Sequence, residues 1–172
     1  MKHFDYFAPT EIIFGAGRVT EAGALAARYG KKAMLVTVPE FPAVAELYAK
    51  VKKSLSDAGV ACVHYDGVIP NPTTELVTRG AELAKAEGVD VVIGLGGGSS
   101  MDTAKAIAVE ATHPGTAWDY NCHTAGPTEQ TLPILAISTT AGTGSQTTPC
   151  AVITKTSAKD KSAIWNKNIF PR

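Results

Sequence analysis

The sequence predicts an α/β fold: a mainly parallel sheet flanked by helices. Three observations carry this prediction. Short apolar segments alternate with longer segments of helical period, the pattern of strands joined by crossover helices. Prolines and glycines stand at the junctions, where turns and helix stops are needed. The length of 172 residues suits a single domain that buries a sizeable core without disulfides or metal.

The elements follow in order. Ala33-Met34-Leu35-Val36-Thr37 reads as a buried strand, and Pro39 and Pro42 punctuate the turn into a helix. In that helix Val44, Leu47, Tyr48, Val51 and Leu55 share one face, and Gly59 marks its end. A second unit repeats the plan, with a strand over residues 60–65, a turn-rich loop over 66–72 and a helix over 73–87 stopped by Gly88. A third begins with the β-branched strand Val89-Asp90-Val91-Val92-Ile93, continues through Gly94-Leu95-Gly96-Gly97-Gly98, and enters a helix that Ser99 opens. After an irregular stretch, Ile134-Leu135-Ala136-Ile137 is a fourth strand. Ala151-Val152-Ile153-Thr154 and Ser162-Ala163-Ile164-Trp165 form a terminal hairpin around a polar turn.

Composition narrows the function classes. A hydrophobic fraction of 45% and a charged fraction of 19% describe an ordinary globular chain. Sixteen basic residues cancel sixteen acidic ones, which removes the basic footprint of a non-specific nucleic-acid binder. No apolar run is long enough for a membrane span, and the first ten residues lack the apolar core of a secretory signal. A cytoplasmic location is therefore expected. Cys62, Cys122 and Cys150 are widely spaced and odd in number, which favours reduced thiols over a disulfide framework or a CxxC metal site.

The strongest local motif is Gly96-Gly97-Gly98-Ser99-Ser100-Met101-Asp102, set between a strand and a helix. Glycines let the backbone turn tightly and approach a bulky anion, and the free N–H groups of a helix start favour phosphate. A dinucleotide pyrophosphate fits such a place. Ser99 and Asp102 also have the S-x-x-D spacing of a capping box, so a purely helix-starting role is the bland alternative. The run does not match the spacing of G-x-G-x-x-G, and Lys105 is misplaced for a P-loop lysine.

A second cluster, Ser138-Thr139-Thr140-Ala141-Gly142-Thr143-Gly144-Ser145, follows the fourth strand. Ligands of open α/β sheets bind at the carboxyl ends of strands, and these hydroxyls suit ribose and phosphate groups. The histidines are His3, His64, His113 and His123, and none forms an H-x-x-x-H pair. Asp119, Cys122 and His123 make a D-x-x-C-H cluster, for which an ordinary solvated loop is the stronger explanation.

Taken together, Gly97-Gly98-Ser99-x-x-Asp102-x-Ala104-Lys105, the preceding Asn71-Pro72, and Thr139-Thr140-Ala141-Gly142-Thr143-Gly144-Ser145 resemble the amino-terminal half of the iron-containing (group III) alcohol dehydrogenase family. Phe14-Gly15-Ala16-Gly17-Arg18 and the strands at residues 35–37 and 151–154 extend the resemblance over nearly the whole chain. It implies a Rossmann-like dinucleotide-binding domain over residues 1–172, with the family's helical metal-binding domain absent. Gly97, Gly98, Ser99 and Asp102 then belong to the pyrophosphate turn. Asn71, Thr139, Thr140 and Thr143 match positions near adenosine, ribose and nicotinamide, and Lys161 matches a lysine reaching the cofactor from the hairpin.

The implied activity is that of an oxidoreductase, an NAD(P)-dependent alcohol dehydrogenase or aldehyde reductase acting on a small alcohol or aldehyde. The alternative is a non-catalytic NAD(P)-binding fragment of a two-domain enzyme. The family's Fe²⁺ or Zn²⁺ is bound by one aspartate and three histidines, none of which this truncated chain matches. Thr143 and Ser145 are then the hydroxyls available to polarise a carbonyl without metal. NAD-preferring relatives often carry aspartate after the Thr37 position, whereas here it is Val38, so NADP is expected to be accepted as well as NAD. Relatives pair through amino-terminal strands, so a homodimer or higher oligomer is expected.

Overall fold

A computed structural model describes residues 3–172, and the first two residues of the expected domain lie outside the described residues. Four strands form one parallel sheet in the order β2-β1-β3-β4, where β1 is Lys32–Val36, β2 is Ala61–Tyr65, β3 is Val91–Gly96 and β4 is Ile134–Ser138. Every pairing in this sheet is parallel, so the carboxyl ends of β1, β3 and β4 share one edge.

Strand alternation divides the core into two layers. Ala33, Leu35, Val91 and Ile93 face α1 (Ala22–Ala26) and α2 (Pro42–Asp57), where Tyr48, Val51 and Leu55 complete the cluster. Met34, Val36 and Val92 face the opposite side, packing with Val77 and Ala84 of α3 (Thr74–Glu87) and Ile107 of α4 (Gly98–Glu110). The antiparallel hairpin of β5 (Cys150–Lys155) and β6 (Asp160–Trp165) joins this second layer through Ala151, Ile153 and Ile164. Its Thr154 N–H donates to the Pro72 carbonyl at 2.9 Å, fixing the hairpin beside the loop that precedes α3.

Three features depart from the sequence reading. Helix α1 and the 3-10 turn Arg18–Glu21 before it were not expected. They are held from a distance: the Ser54 hydroxyl accepts from Gly23 N–H at 2.8 Å and donates to the Thr20 carbonyl at 2.6 Å. Strand β3 extends through Gly94-Leu95-Gly96, because those residues pair with Ala136, Ile137 and Ser138 of β4. Helix α4 opens at Gly97 and not at Ser99, and no side chain caps it.

Candidate functional site

The edge shared by β1, β3 and β4 collects most of the residues singled out in the sequence. At the end of β3 the chain turns at Gly96, whose φ of +140° is open to glycine and strained for other residues. Gly97 then serves as the N-cap of α4, leaving the N–H groups of the first helical turn without a side-chain acceptor. Thr139 N–H donates to the Gly96 carbonyl at 3.0 Å, which brings the hydroxyl-rich loop after β4 beside that turn. Thr139, Thr140 and Thr143 are exposed there.

Gly97 and Gly98 differ in what surrounds them. A Cβ on Gly98 would sit 3.1 Å from Thr143 Cγ2, so the helix start and the loop touch at that point. A Cβ on Gly97 would meet nothing within 4 Å, and the Gly97 φ of −83° is ordinary. Neither backbone nor packing requires glycine at position 97. The helix start is therefore bare, uncapped and open, as an anion-binding turn needs to be.

Asn71 and Lys161 come together at the hairpin side, with Lys161 Nζ donating to Asn71 Oδ1 at 2.8 Å. Asn71 adopts φ +54°, a left-handed conformation that asparagine tolerates better than most residues. Val38 follows the end of β1, half-buried against the core. Its carbonyl accepts from Thr37 Oγ1 at 2.7 Å and from the Tyr48 hydroxyl at 3.3 Å. Thr37 Oγ1 also lies 2.9 Å from His64 Nε2, and burial lowers the His64 pKa from its ordinary value.

Asp102 and Ser145 take a different place from the one expected. Ser145 is 5% exposed, and its hydroxyl donates to Asp102 Oδ1 at 2.6 Å while Asp102 Oδ2 accepts from Val152 N–H at 3.1 Å. The Ser99–Asp102 capping box does not form, because this long-range bonding claims the carboxylate and Gly97 occupies the cap. The Ser145 hydroxyl is likewise committed inside the protein, which leaves Thr143 as the exposed hydroxyl of the two.

The sequence reading missed the role of Lys105. Its side chain is fully buried, and its ammonium donates to the carbonyls of Ser145 (2.7 Å), Thr148 (2.9 Å) and Cys150 (2.7 Å), with Ser145 Oγ at 3.0 Å. Burial lowers its pKa to about 8, against the upward pull of Asp102 and Cys150. The surrounding oxygens, all able to accept, suit a protonated ammonium. The available signal was the i, i+3 spacing of Asp102 and Lys105, which puts two opposite charges on one side of the helix.

Asp119 of the D-x-x-C-H cluster accepts from Thr116 N–H at 2.8 Å and Thr116 Oγ1 at 2.9 Å, closing a capping box. Among the described residues no group of three or more His, Cys, Asp or Glu side chains is placed to hold a metal ion. A separate open groove of about 650 Å³ lies at the free edge of β4 and reaches Thr139 and Thr140, with Phe14, Val19 and Leu135 in its walls. No described helix is long and apolar enough to cross a membrane.

An uncapped helix start and a hydroxyl-rich loop thus lie together at the carboxyl ends of the parallel strands of an α/β domain. The sequence model described as iron-containing alcohol dehydrogenase matches residues 9–172, and the chain belongs to that family. It is 46% identical over 158 residues to choline dehydrogenase of Bacillus subtilis, covering 90% of this chain and 39% of that protein. It is 40% identical over 167 residues to alcohol dehydrogenase 4 of Schizosaccharomyces pombe, covering 96% of this chain and 39% of the relative.

Among solved structures, an archaeal halo-thermophilic alcohol dehydrogenase from a Red Sea brine pool superposes with a TM-score of 0.94 at 42% identity, over 100% of this chain and 45% of that one. An NADH-dependent butanol dehydrogenase from Thermotoga maritima gives 0.90 at 32% identity, over 99% and 43%. The chain thus spans less than half the length of these relatives. It matches the part that holds the parallel sheet, and its described residues supply no ligand set for the family's iron.

Proposed function

We propose that this chain is the nicotinamide-dinucleotide-binding part of an alcohol dehydrogenase or aldehyde reductase. The observation that carries this reading is Gly97. Glycine stands there although the backbone is ordinary and the space beyond it is empty, which makes sense if a ligand approaches the backbone closely. The N–H groups at Gly98 and Ser99 bind the pyrophosphate, and the α4 dipole favours its charge. Thr139, Thr140 and Thr143 offer hydroxyls to the ribose and nicotinamide portions. Asn71 and Lys161 close the hairpin side, and Val38 lies at the end of β1 where the adenosine ribose is expected.

Bound nicotinamide supplies the hydride acceptor or donor for the carbon of a small alcohol or aldehyde. The exposed Thr143 hydroxyl is the group this chain offers to a substrate oxygen. Cofactor binding without turnover by this stretch alone is a second reading, favoured by its spanning only 39–46% of the length of its relatives. Both readings fit NADP as well as NAD, and a cytoplasmic location fits three free thiols. A homodimer or higher oligomer is supported by the exposed amino-terminal side chains, including Phe4 (86%), Tyr6 (84%) and Phe14 (91%).

The test is a fluorescence titration of NADH and NADPH against wild type and Gly97→Ala, beside a panel of small aldehydes. Saturable binding lost in Gly97→Ala, with an unchanged melting temperature, supports the reading. Equal binding by both proteins removes its basis. Aldehyde-dependent oxidation of NADPH distinguishes an active chain from a binding one, and a monomeric mass by light scattering counts against the oligomer.

A further inference from the structure

Residues 141–148 form the rim that faces the start of α4, yet they contain no strand and only the short 3-10 turn Ser145–Thr147. Among the described residues, the hydrogen bonds joining 141–148 to the rest of the molecule all end on Asp102 or Lys105. Of these four bonds, three come from the Lys105 ammonium. That group has three protons, and three backbone carbonyls surround it at 2.7–2.9 Å: Ser145, Thr148 and Cys150. The Cys150 bond ties the same nitrogen to the first residue of β5. The loop and the hairpin are therefore referenced to a single point on α4.

The linkage to the open face is short. Ser145 N–H donates to Thr143 Oγ1 at 3.3 Å, and Thr143 is the residue that meets Gly98 at the helix start. We propose that Lys105 is the positioning residue of the dinucleotide cleft, its buried ammonium holding residues 143–148 so that Thr143 stays over the start of α4. The inference rests on the cofactor reading above. Lys105 itself has no exposed surface and acts through Ser145 and Thr143. Among the described residues no carboxylate pairs directly with this ammonium, Asp102 reaching it only through the Ser145 hydroxyl, whereas buried cations more often pair with anions.

Lys105→Met keeps the length and volume of the side chain and removes the donors. Wild type and variant are compared by NADH titration, by melting temperature and by hydrogen exchange resolved along the chain. The expected result is dinucleotide affinity reduced by about tenfold or more through misplacement of the rim, with faster exchange confined to residues 141–150 and unchanged protection in β1, β3 and β4. Wild-type affinity in the variant overturns the proposal. So does a loss of affinity accompanied by faster exchange throughout the sheet, since that reports a general structural role.

If Lys105→Met does not fold, Lys105→Gln decides by the same readouts, because its amide is one atom shorter and brings two N–H donors to three carbonyls. Local loosening with weaker binding supports the proposal, and wild-type behaviour overturns it. Failure of the wild type to bind NADH or NADPH sinks the cofactor reading and this inference with it. A binding wild type beside an unaltered variant sinks the inference alone.

Discussion

Gly98 lies directly beneath Thr143: a methyl group at Gly98 would come within 3.1 Å of Thr143 Cγ2 and 3.3 Å of its Cβ. This contact joins the start of α4 to the loop after β4, two segments separated in sequence by a helix, an irregular stretch and a strand. Gly98→Ala therefore has opposing effects. Alanine favours the helix by up to about 1 kcal/mol over glycine, while the new methyl pushes Thr143 outward. The melting temperature is expected to stay close to wild type, and dinucleotide affinity to fall about tenfold or more. An unchanged affinity measured by titration would show that the Thr143 position does not matter to binding.

Gly94 serves the fold in a different way. It pairs within β3, and a Cβ there would lie 2.8 Å from Met101 Cα, 3.0 Å from Ala104 Cβ and 3.1 Å from the Ser100 carbonyl. Two of these neighbours are backbone atoms of α4, so the helix itself must move. Gly94→Ala is expected to cost about 1–3 kcal/mol by overpacking, which lowers the melting temperature by roughly 2–12 °C for a chain of this size. Thermal unfolding followed by circular dichroism checks this, and a neutral result would mean that α4 slides on the sheet without penalty.

These two glycines also show how much the sequence disclosed. The alternation of apolar residues was enough to place β1, β2, α2 and α3, because Met34, Leu35 and Val36 sit in two-sided burial and Tyr48, Val51 and Leu55 on one helical stripe. The glycine run and the hydroxyl loop stood out as a candidate site because they follow two apolar strands, and the structure places them side by side at the carboxyl ends of β3 and β4. What remained hidden depends on contacts distant along the chain. Asp102 looked like a local cap for Ser99, yet its carboxylate is taken by Ser145 and Val152, 43 and 50 residues away. The carbonyls around Lys105 lie 40 to 45 residues away and belong to the backbone, which no side-chain motif records. Helix α1 has only five residues and is secured by Ser54, 31 residues beyond Gly23, so local periodicity gave it no signal.

Glu75 predicts a pH effect on the hairpin. Its carboxylate accepts from Thr156 Oγ1 at 2.7 Å, tying the β5–β6 turn to the first turn of α3. The Thr156 hydroxyl, then the Glu75 backbone N–H and the hydroxyl of Thr73, lower the Glu75 pKa from 4.5 to about 2. Because the folded pKa lies below the unfolded one, the stabilisation is fully present above pH 4.5 and is lost as pH falls through about 2. Glu75→Gln is expected to melt below wild type at pH 7, and the gap is expected to close between pH 4.5 and 2. The side chain is exposed, so the gap will be small. Melting curves over that range test it, and a gap independent of pH would place the effect of the substitution elsewhere.

Val38 predicts the outcome of adding a charge. Hydroxyls from Thr37 and Tyr48 hold its carbonyl, so the backbone after β1 is fixed before any ligand arrives. A carboxylate at this position would bond both hydroxyls of an adenosine ribose and repel a 2′-phosphate. Valine does neither, and on this argument NADPH is accepted by the wild type. Two like charges at about 4 Å near a protein surface repel by up to roughly 4 kcal/mol at an effective dielectric of ~20, enough to change a cofactor ratio by more than tenfold. Val38→Asp is therefore expected to weaken NADPH binding by at least about tenfold relative to NADH. Because Val38 is half-buried against the core, the variant will also lose some thermal stability, so the ratio of the two dissociation constants is the quantity to measure. Wild type binding NADH about tenfold tighter than NADPH would show that another group already excludes the 2′-phosphate. An unchanged ratio in Val38→Asp would show that the ribose lies elsewhere than at the end of β1.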